Sequence, residues 1–180
     1  MLVPAVGTHP WTASWAKHCL RCGTGALHSE DGRHHRCATC GFEYFHNLAA
    51  AVCAIIRYHD EIALIVRARD PGRGLLDLPG GFVDPGEDLE SAVLREVQEE
   101  IGVMLPPPRY LFSMPNTYHY REVDYWTLDA MFEFRVTDKP KVAPNDEVLA
   151  LHWRSLDAVA PAELAFDSVR AALRRLSNLK

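Results

Sequence analysis

Three glutamates, Glu96, Glu99 and Glu100, stand three, four and one residue apart in the run Leu89–Ile101. Carboxylate oxygens gathered at helical spacing suit hard divalent ions such as Mg²⁺ or Mn²⁺, which also bind phosphate oxygens. Placing Leu89 at zero and advancing ~100° per residue spreads Leu89, Val93, Leu94, Val97 and Ile101 over an arc of ~140°. Glu99, Glu96 and Glu100 fall at ~280°, ~340° and ~20°, beside that apolar stripe, while Arg95 and Gln98 fall away from it. Acids placed for solubility would lie opposite the stripe. Like charges crowded at its edge resist ionisation unless a cation sits among them. The spacing therefore points to a divalent-metal site and, through the metal, to polyphosphate chemistry.

A second donor group precedes it. Cys19-x2-Cys22 and Cys37-x2-Cys40 are separated by fourteen residues, and each pair is followed by a glycine, Gly23 or Gly41. Four thiolates form a closed tetrahedral shell that suits structural Zn²⁺ and leaves no open position for catalysis. A module this small draws its folding energy from the metal. A redox dithiol leaves the matched spacing and the trailing glycines unexplained. His18, His34 and His35 are expected as exposed loop residues, and Cys53 as a small core residue.

These groups need a scaffold. A chain of 180 residues accommodates one well-cored domain and a small module. A net charge of -5 argues against a protein that coats nucleic acid or a membrane surface. No apolar run approaches the ~20 residues that span a bilayer, and the first residues lack the charged and apolar regions of a signal peptide. A cytoplasmic protein is expected. Residues 1–17, with Trp11 and Trp15, read as an N-terminal arm, 18–46 as a zinc ribbon and 47–180 as the main domain.

Within that domain, Ala49–Arg57 and Ile62–Arg67 read as a hairpin. A Pro- and Gly-containing loop carrying Arg67, Arg69 and Arg73 follows; the arginines are either solvated or set to meet an anion. Asp88 is placed to cap a helix that runs to Ile101 and stops at Gly102. Pro106-Pro107-Pro108 prevents continuation. Strands are expected at Arg109–Ser113, Tyr125–Val136 and Val148–Trp153. A last helix starts with Asp167 as N-cap and carries Val169, Leu173 and Leu176 on one face. The order gives an α/β fold, an α/β/α-type sandwich around a mixed sheet.

At the glutamates, Gly81, Glu87, Arg95, Glu96, Val97, Glu99, Glu100, Gly102 and Val103 fill every specified position of G-x5-E-x7-R-E-U-x-E-E-x-G-U, where U is aliphatic. The stretch thus resembles the Nudix box, and the resemblance extends over roughly residues 48–178. It implies the Nudix α/β/α sandwich and Mg²⁺- or Mn²⁺-dependent hydrolysis of a diphosphate linked to another moiety. By that resemblance Glu96, Glu99 and Glu100 hold the metal, helped by a backbone carbonyl at Gly80 or Gly81. One of the three, or Glu147, takes the proton from the attacking water. Glu147 also reads as a plain surface acid. Arg95 orients a carboxylate rather than touching substrate.

A tetracysteine ribbon ahead of such a domain resembles the NADH pyrophosphatase branch. Where that branch carries Ser-Gln-Pro-Trp, this chain has Ser113-Met114-Pro115-Asn116. Tyr120 sits where some relatives that cleave dinucleoside polyphosphates place a tyrosine. Tyr118 and Tyr120 are candidates to stack on a base or nicotinamide; Phe112 and Trp126 share that reading with a role as core strand residues. The expected activity is cleavage of an NADH- or NAD-like dinucleotide, with ADP-ribose or a dinucleoside polyphosphate as alternatives. A reading of another class is a ribbon that binds nucleic acid or protein through Lys17, Arg21, Arg33 and Arg36, set against Glu30, Asp31 and Glu43. Many relatives are dimers, which leaves a homodimer open.

Overall fold

The computed structural model describes residues 17–30, 33–121, 123–142 and 145–178. Trp11, Trp15, Asp31 and Lys180 lie outside these residues. The chain divides into two units, Met1–Asn47 and Leu48–Lys180.

In the first unit, β1 (Leu27–Ser29), β2 (His34–Cys37) and β3 (Glu43–Phe45) form an antiparallel sheet in that order. Each cysteine pair closes a turn in which the trailing glycine amide donates to the first cysteine's carbonyl, Gly23 to Cys19 at 2.8 Å and Gly41 to Cys37 at 3.0 Å. Cys19, Leu27 and Cys37 make the small buried centre. His34 and His35 differ from the loop expectation. Both lie in β2, and alternation along the strand turns His35 inward beside Cys37, where it is buried.

The second unit is built on a seven-stranded mixed sheet. Its strands are β4 (Ala49–Tyr58), β5 (Glu61–Arg67), β6 (Leu76–Asp77), β7 (Gly80–Phe82), β8 (Arg109–Tyr120), β9 (Val123–Arg135) and β10 (Val148–Ser155). The order is β10-β5-β4-β9-β8, with β6 added to β5 and β7 to β4. Only β4 and β9 run parallel among these pairs. A parallel pair needs a long crossover, and α1 (Leu89–Ile101) lies within it.

Alternation along β4 sorts its side chains. Val52, Ala54 and Ile56 pack with Val93, Val97 and Ile101 of α1 on one face. Cys53 and Ile55 pack with Val169, Ala172, Leu173 and Leu176 of α2 (Asp167–Ser177) on the other. Each fully buried aliphatic side chain contributes about 1.5–3 kcal/mol, so each helix is fixed by the face it covers. The result is an α/β/α sandwich.

The ends of α1 follow the sequence reading. Asp88 accepts a hydrogen bond from the Ser91 amide at 2.7 Å, and Gly102 closes the helix in the left-handed region with its amide on the Gln98 carbonyl. Two elements depart from it. β8 continues to Tyr120, because Asn116 to Tyr120 pair residue by residue with Val123 to Thr127. The N-cap of α2 is the extended Phe166 rather than Asp167. Asp167 is already helical, and its carboxylate pairs with Arg170 at 2.9 Å.

Candidate active site

The site starts from a glycine turn. Gly80 and Gly81 in β7 pair with Cys53 and Val52 of β4. A Cβ on Gly80, whose φ is +151°, would stand 2.0 Å from the Val52 carbonyl oxygen, so only glycine fits. This close approach leaves the Gly80 amide facing α1, where it donates to Glu100 Oε2 at 2.8 Å. Glu96 packs against Gly81. Both carboxylates are buried. The buried side of α1 runs through Ala92, Val93, Glu96, Val97, Glu100 and Ile101; Leu89 and Leu94 are half-buried beside it. Two of the acids are therefore part of the packed face.

Burial sets their proton affinity. Glu96 is pushed up by desolvation, against the pull of the Arg95 guanidinium. Glu100 is pushed well above the carboxylate range by burial, only partly offset by the Gly80 amide, with Asp77, Glu96 and Glu147 adding repulsion. A cation between such groups would favour their charged forms.

Arg95 organises the outer edge. Its Nε and Nη2 hold Glu87 in a two-point contact at 2.8 and 3.0 Å, Nη1 reaches Glu96 at 2.8 Å and Glu99 at 3.0 Å, and Nη2 also donates to the Phe82 carbonyl. The guanidinium beside Glu87 holds that carboxyl below its usual range. The helical wheel turns Arg95 away from the apolar stripe, yet the long side chain folds back over the carboxylates. There it ties Glu87, Glu96 and Glu99 to one another.

A cleft of about 680 Å³ opens beside these groups. Gly81, Glu96, Glu100, Glu147, Arg67, Arg69, Tyr118 and Tyr120 all line it; Glu99, at 53% side-chain exposure, and Arg95 do not. Asn145 brings Glu147 in: its amide nitrogen donates to the Glu100 carbonyl at 3.0 Å, and its oxygen accepts from the Glu147 and Val148 amides. Glu147 pairs with Arg69 at 2.8 Å, both groups being exposed. Arg67 is already engaged, with Asp77 at 2.8 Å, the Pro71 carbonyl and the face of Phe166. Tyr118 touches Phe82, Tyr120 and Phe166, and an aromatic recess of about 280 Å³ lies among Phe82, Tyr118, Tyr120 and Tyr125.

Four further cleft residues, Asp77, Asn116, Thr127 and Asp129, escape the sequence reading, and all four are buried. The available signal is faint: in β9 Thr127 and Asp129 share the alternation of Met131, which faces the core around α2.

Among the described residues, the four cysteines are the one group of three or more His, Cys, Asp or Glu whose donor atoms lie within 4.8 Å of one another. Cys19–Cys40 and Cys22–Cys37 sulfurs are 3.7 Å apart. Zn–S bonds of ~2.3 Å give tetrahedral edges near ~3.8 Å, so the set fits zinc. The Cys40 amide draws the Cys37 thiol down to about 6, and the Thr24 hydroxyl lowers Cys22. At Cys40 the Phe42 amide is outweighed by burial and three neighbouring thiols, which push it up to about 12. In the cleft, Glu96, Glu100 and Glu147 offer oxygen donors of the class that divalent hard ions take.

A model of the NUDIX domain matches residues 46–176. The chain is 30% identical over 152 residues to the NAD-capped RNA hydrolase NudC of Pseudomonas aeruginosa, covering 82% of this chain and 51% of that protein. It thus spans about half the length of that curated relative. A NUDIX hydrolase from Nitrosomonas europaea superimposes with a TM-score of 0.69 at 23% identity, covering 91% of this chain and 92% of that one. The NUDIX domain of Shewanella oneidensis NrtR, solved with ADP ribose, gives a TM-score of 0.61 at 26% identity, covering 76% and 91%. No helix among the described residues is long and apolar enough to cross a membrane.

Proposed function

The chain belongs to the Nudix family, and on that footing we propose that it is a Mg²⁺- or Mn²⁺-dependent pyrophosphohydrolase. Its substrate is a nucleoside diphosphate linked to another moiety, with NADH- and NAD-like dinucleotides favoured. The observation that carries this reading is the packing of Glu96 and Glu100 against the Gly80–Gly81 turn on the wall of the cleft.

Glu96, Glu99 and Glu100 hold the metal, helped by the Gly81 carbonyl. When bound, the ion neutralises the diphosphate and activates water for in-line displacement at phosphorus. Glu147 faces the same cleft on the loop anchored by Asn145 and takes the proton. Arg69 is exposed enough to exchange Glu147 for a phosphate oxygen, while Arg67 braces Asp77 and Phe166. Tyr118 and Tyr120 supply ring faces for a base or nicotinamide. Zn²⁺ on the four cysteines is structural. The NudC relatives support the dinucleotide reading, and the ADP-ribose complex of NrtR favours ADP-ribose as the second candidate. A cytoplasmic homodimer belongs to the same proposal and is checked by sedimentation and by fractionation of cells.

The test is a panel with Mg²⁺ or Mn²⁺: NADH, NAD, ADP-ribose, dinucleoside polyphosphates and NAD-capped RNA, with products resolved by chromatography. Metal-dependent release of two monophosphates from NADH or NAD is expected. No cleavage of any member, together with salt-sensitive RNA binding, would replace the hydrolase with the binding-module reading.

A further inference from the structure

The hydrolytic roles leave unused a buried polar group on the wall of the cleft. Asn116 on β8 stands directly opposite Thr127 on β9, and Asp129 follows two residues along β9. The three side chains therefore project from one face of the sheet, the face that carries Cys53, Phe112 and Met131 into the core around α2. Asn116, Thr127 and Asp129 are only 9%, 3% and 5% exposed, and all line the cleft. Thr127 Oγ1 donates its proton to Asp129 Oδ1 at 2.5 Å. Among the described residues Asp129 has no ion-pair partner, and the Asn116 side chain has no hydrogen bond. Their free polar atoms open to the cleft, and a ligand that displaces water there gains most by completing them.

We propose that Asn116, Thr127 and Asp129 form a subsite for the N–H-rich edge of one substrate ring, a carboxamide or an exocyclic amine on a neutral or cationic heterocycle. The inference rests on the dinucleotide reading above and names the part of the dinucleotide that is read. With the Thr127 proton committed, the group presents acceptors: the second Asp129 oxygen, a Thr127 lone pair and the Asn116 carbonyl. Its remaining donor is the Asn116 amide. A carboxamide or amino-heterocycle edge brings N–H donors together with one acceptor, which is the complement. A carboxylate in the same place would set two anions against each other away from water.

The ring itself has a place to lie. Tyr118, two residues beyond Asn116 on the same face, packs within 5.6 Å of Phe166 by ring centroids, and both line the cleft. A ring against Tyr118 brings its edge to Asn116.

Two edges of NAD have this chemistry, the nicotinamide carboxamide and the adenine amine. The experiment separates them with three dinucleotides of identical diphosphate: NAD, its nicotinate form and its hypoxanthine form. The full zinc-loaded chain is used. Binding is measured by calorimetry without added Mg²⁺, and cleavage with Mg²⁺ as kcat/KM. One of the two altered dinucleotides is expected to lose about 10- to 100-fold in both readouts, and which one it is identifies the ring. In Asp129→Asn that preference should collapse to within about threefold. Should Asp129→Asn fail to fold, Asn116→Ala carries the same test, since it removes no internal hydrogen bond among the described residues.

Equal binding of all three dinucleotides by the wild type, no measurable binding of any, or a preference unchanged in the folded variants would overturn the subsite. The two readings fail separately. Selective binding without cleavage sinks the hydrolase and leaves the subsite, whereas cleavage without selectivity sinks the subsite alone.

Discussion

A side chain on Gly81 would collide with Glu96: its Cβ would stand 2.6 Å from Glu96 Oε1 and 2.7 Å from the carboxyl carbon. The obstacle is the end of a flexible side chain, so the fold can accommodate alanine by swinging the carboxylate away. Gly81→Ala should therefore remain folded, with thermal unfolding close to wild type, while turnover drops about 100-fold or more. Gly80→Ala should behave in the opposite manner. Its Cβ meets the Val52 carbonyl at 2.0 Å, an atom held in the sheet, and the loss of stability is expected to exceed ~3 kcal/mol. Full activity in a folded Gly81→Ala protein would remove Glu96 from the site.

Glu100 gives the second prediction. Glutamine at this position keeps an oxygen for the Gly80 amide but removes a buried charge whose proton affinity burial has already raised. Glu100→Gln should be at least as stable as wild type at pH 7.5 without added divalent metal. It should also lose the stabilisation that Mg²⁺ gives the wild type and fall in turnover by about 10²–10⁴-fold. Calorimetric scans with and without Mg²⁺, beside a rate assay, check all three. Glu99→Gln is the companion variant: Glu99 stands outside the cleft lining, so near-normal turnover there would reduce the metal-holding set to Glu96 and Glu100.

The sequence carries the local parts of this arrangement well. Asp88 and Gly102 bound α1 because capping is decided within a few residues, and the Cys-x2-Cys turns are set by neighbouring amides. Non-local pairing is what stays hidden. Asn116, Thr127 and Asp129 become one group only through the register of β8 on β9. Asp77 meets Arg67 only because the loop between them folds β6 back on β5. The wheel puts Glu96 and Glu100 at the edge of the stripe, but their burial depends on how close β7 comes, and that distance is fixed by Gly80 against β4. Arg95 is the reverse case: its backbone direction is correct on the wheel, and the reach of its side chain cancels the consequence.

Zinc is the third test. Four sulfurs with 3.7 Å contacts between paired cysteines should hold about one ion per chain. Cys37→Ser removes the thiol drawn lowest, to about 6, and should reduce zinc content to near zero by elemental analysis. Far-ultraviolet and proteolytic probes should then report loss of order within residues 17–47, since a unit centred on Cys19, Leu27 and Cys37 has little else to bury. Retention of a protease-resistant ribbon without zinc would show that the cysteines serve another purpose.

Asp77 makes the last prediction, a pH dependence of stability. Its carboxyl is pushed up to about 6 by burial, which outweighs the Arg67 guanidinium and the Leu78 amide that favour its charge. A folded-state value above the unfolded one means that the folded chain holds this proton more tightly. Its contribution to stability is thus fully present below pH ~4 and is lost as pH rises to about 6. The shift from 3.8 to about 6 corresponds to a contribution on the order of 3 kcal/mol. Other carboxylates titrate in the same window, and Glu87, held low by Arg95, acts with the opposite sign. The informative quantity is therefore the difference between wild type and Asp77→Asn, which keeps an oxygen for the Leu78 amide but does not titrate. In urea unfolding at a series of pH values, the variant should lack the wild type's relative decline between pH 4 and 6. If the two curves stay parallel there, Asp77 is ionised throughout, and Arg67 rather than burial controls it.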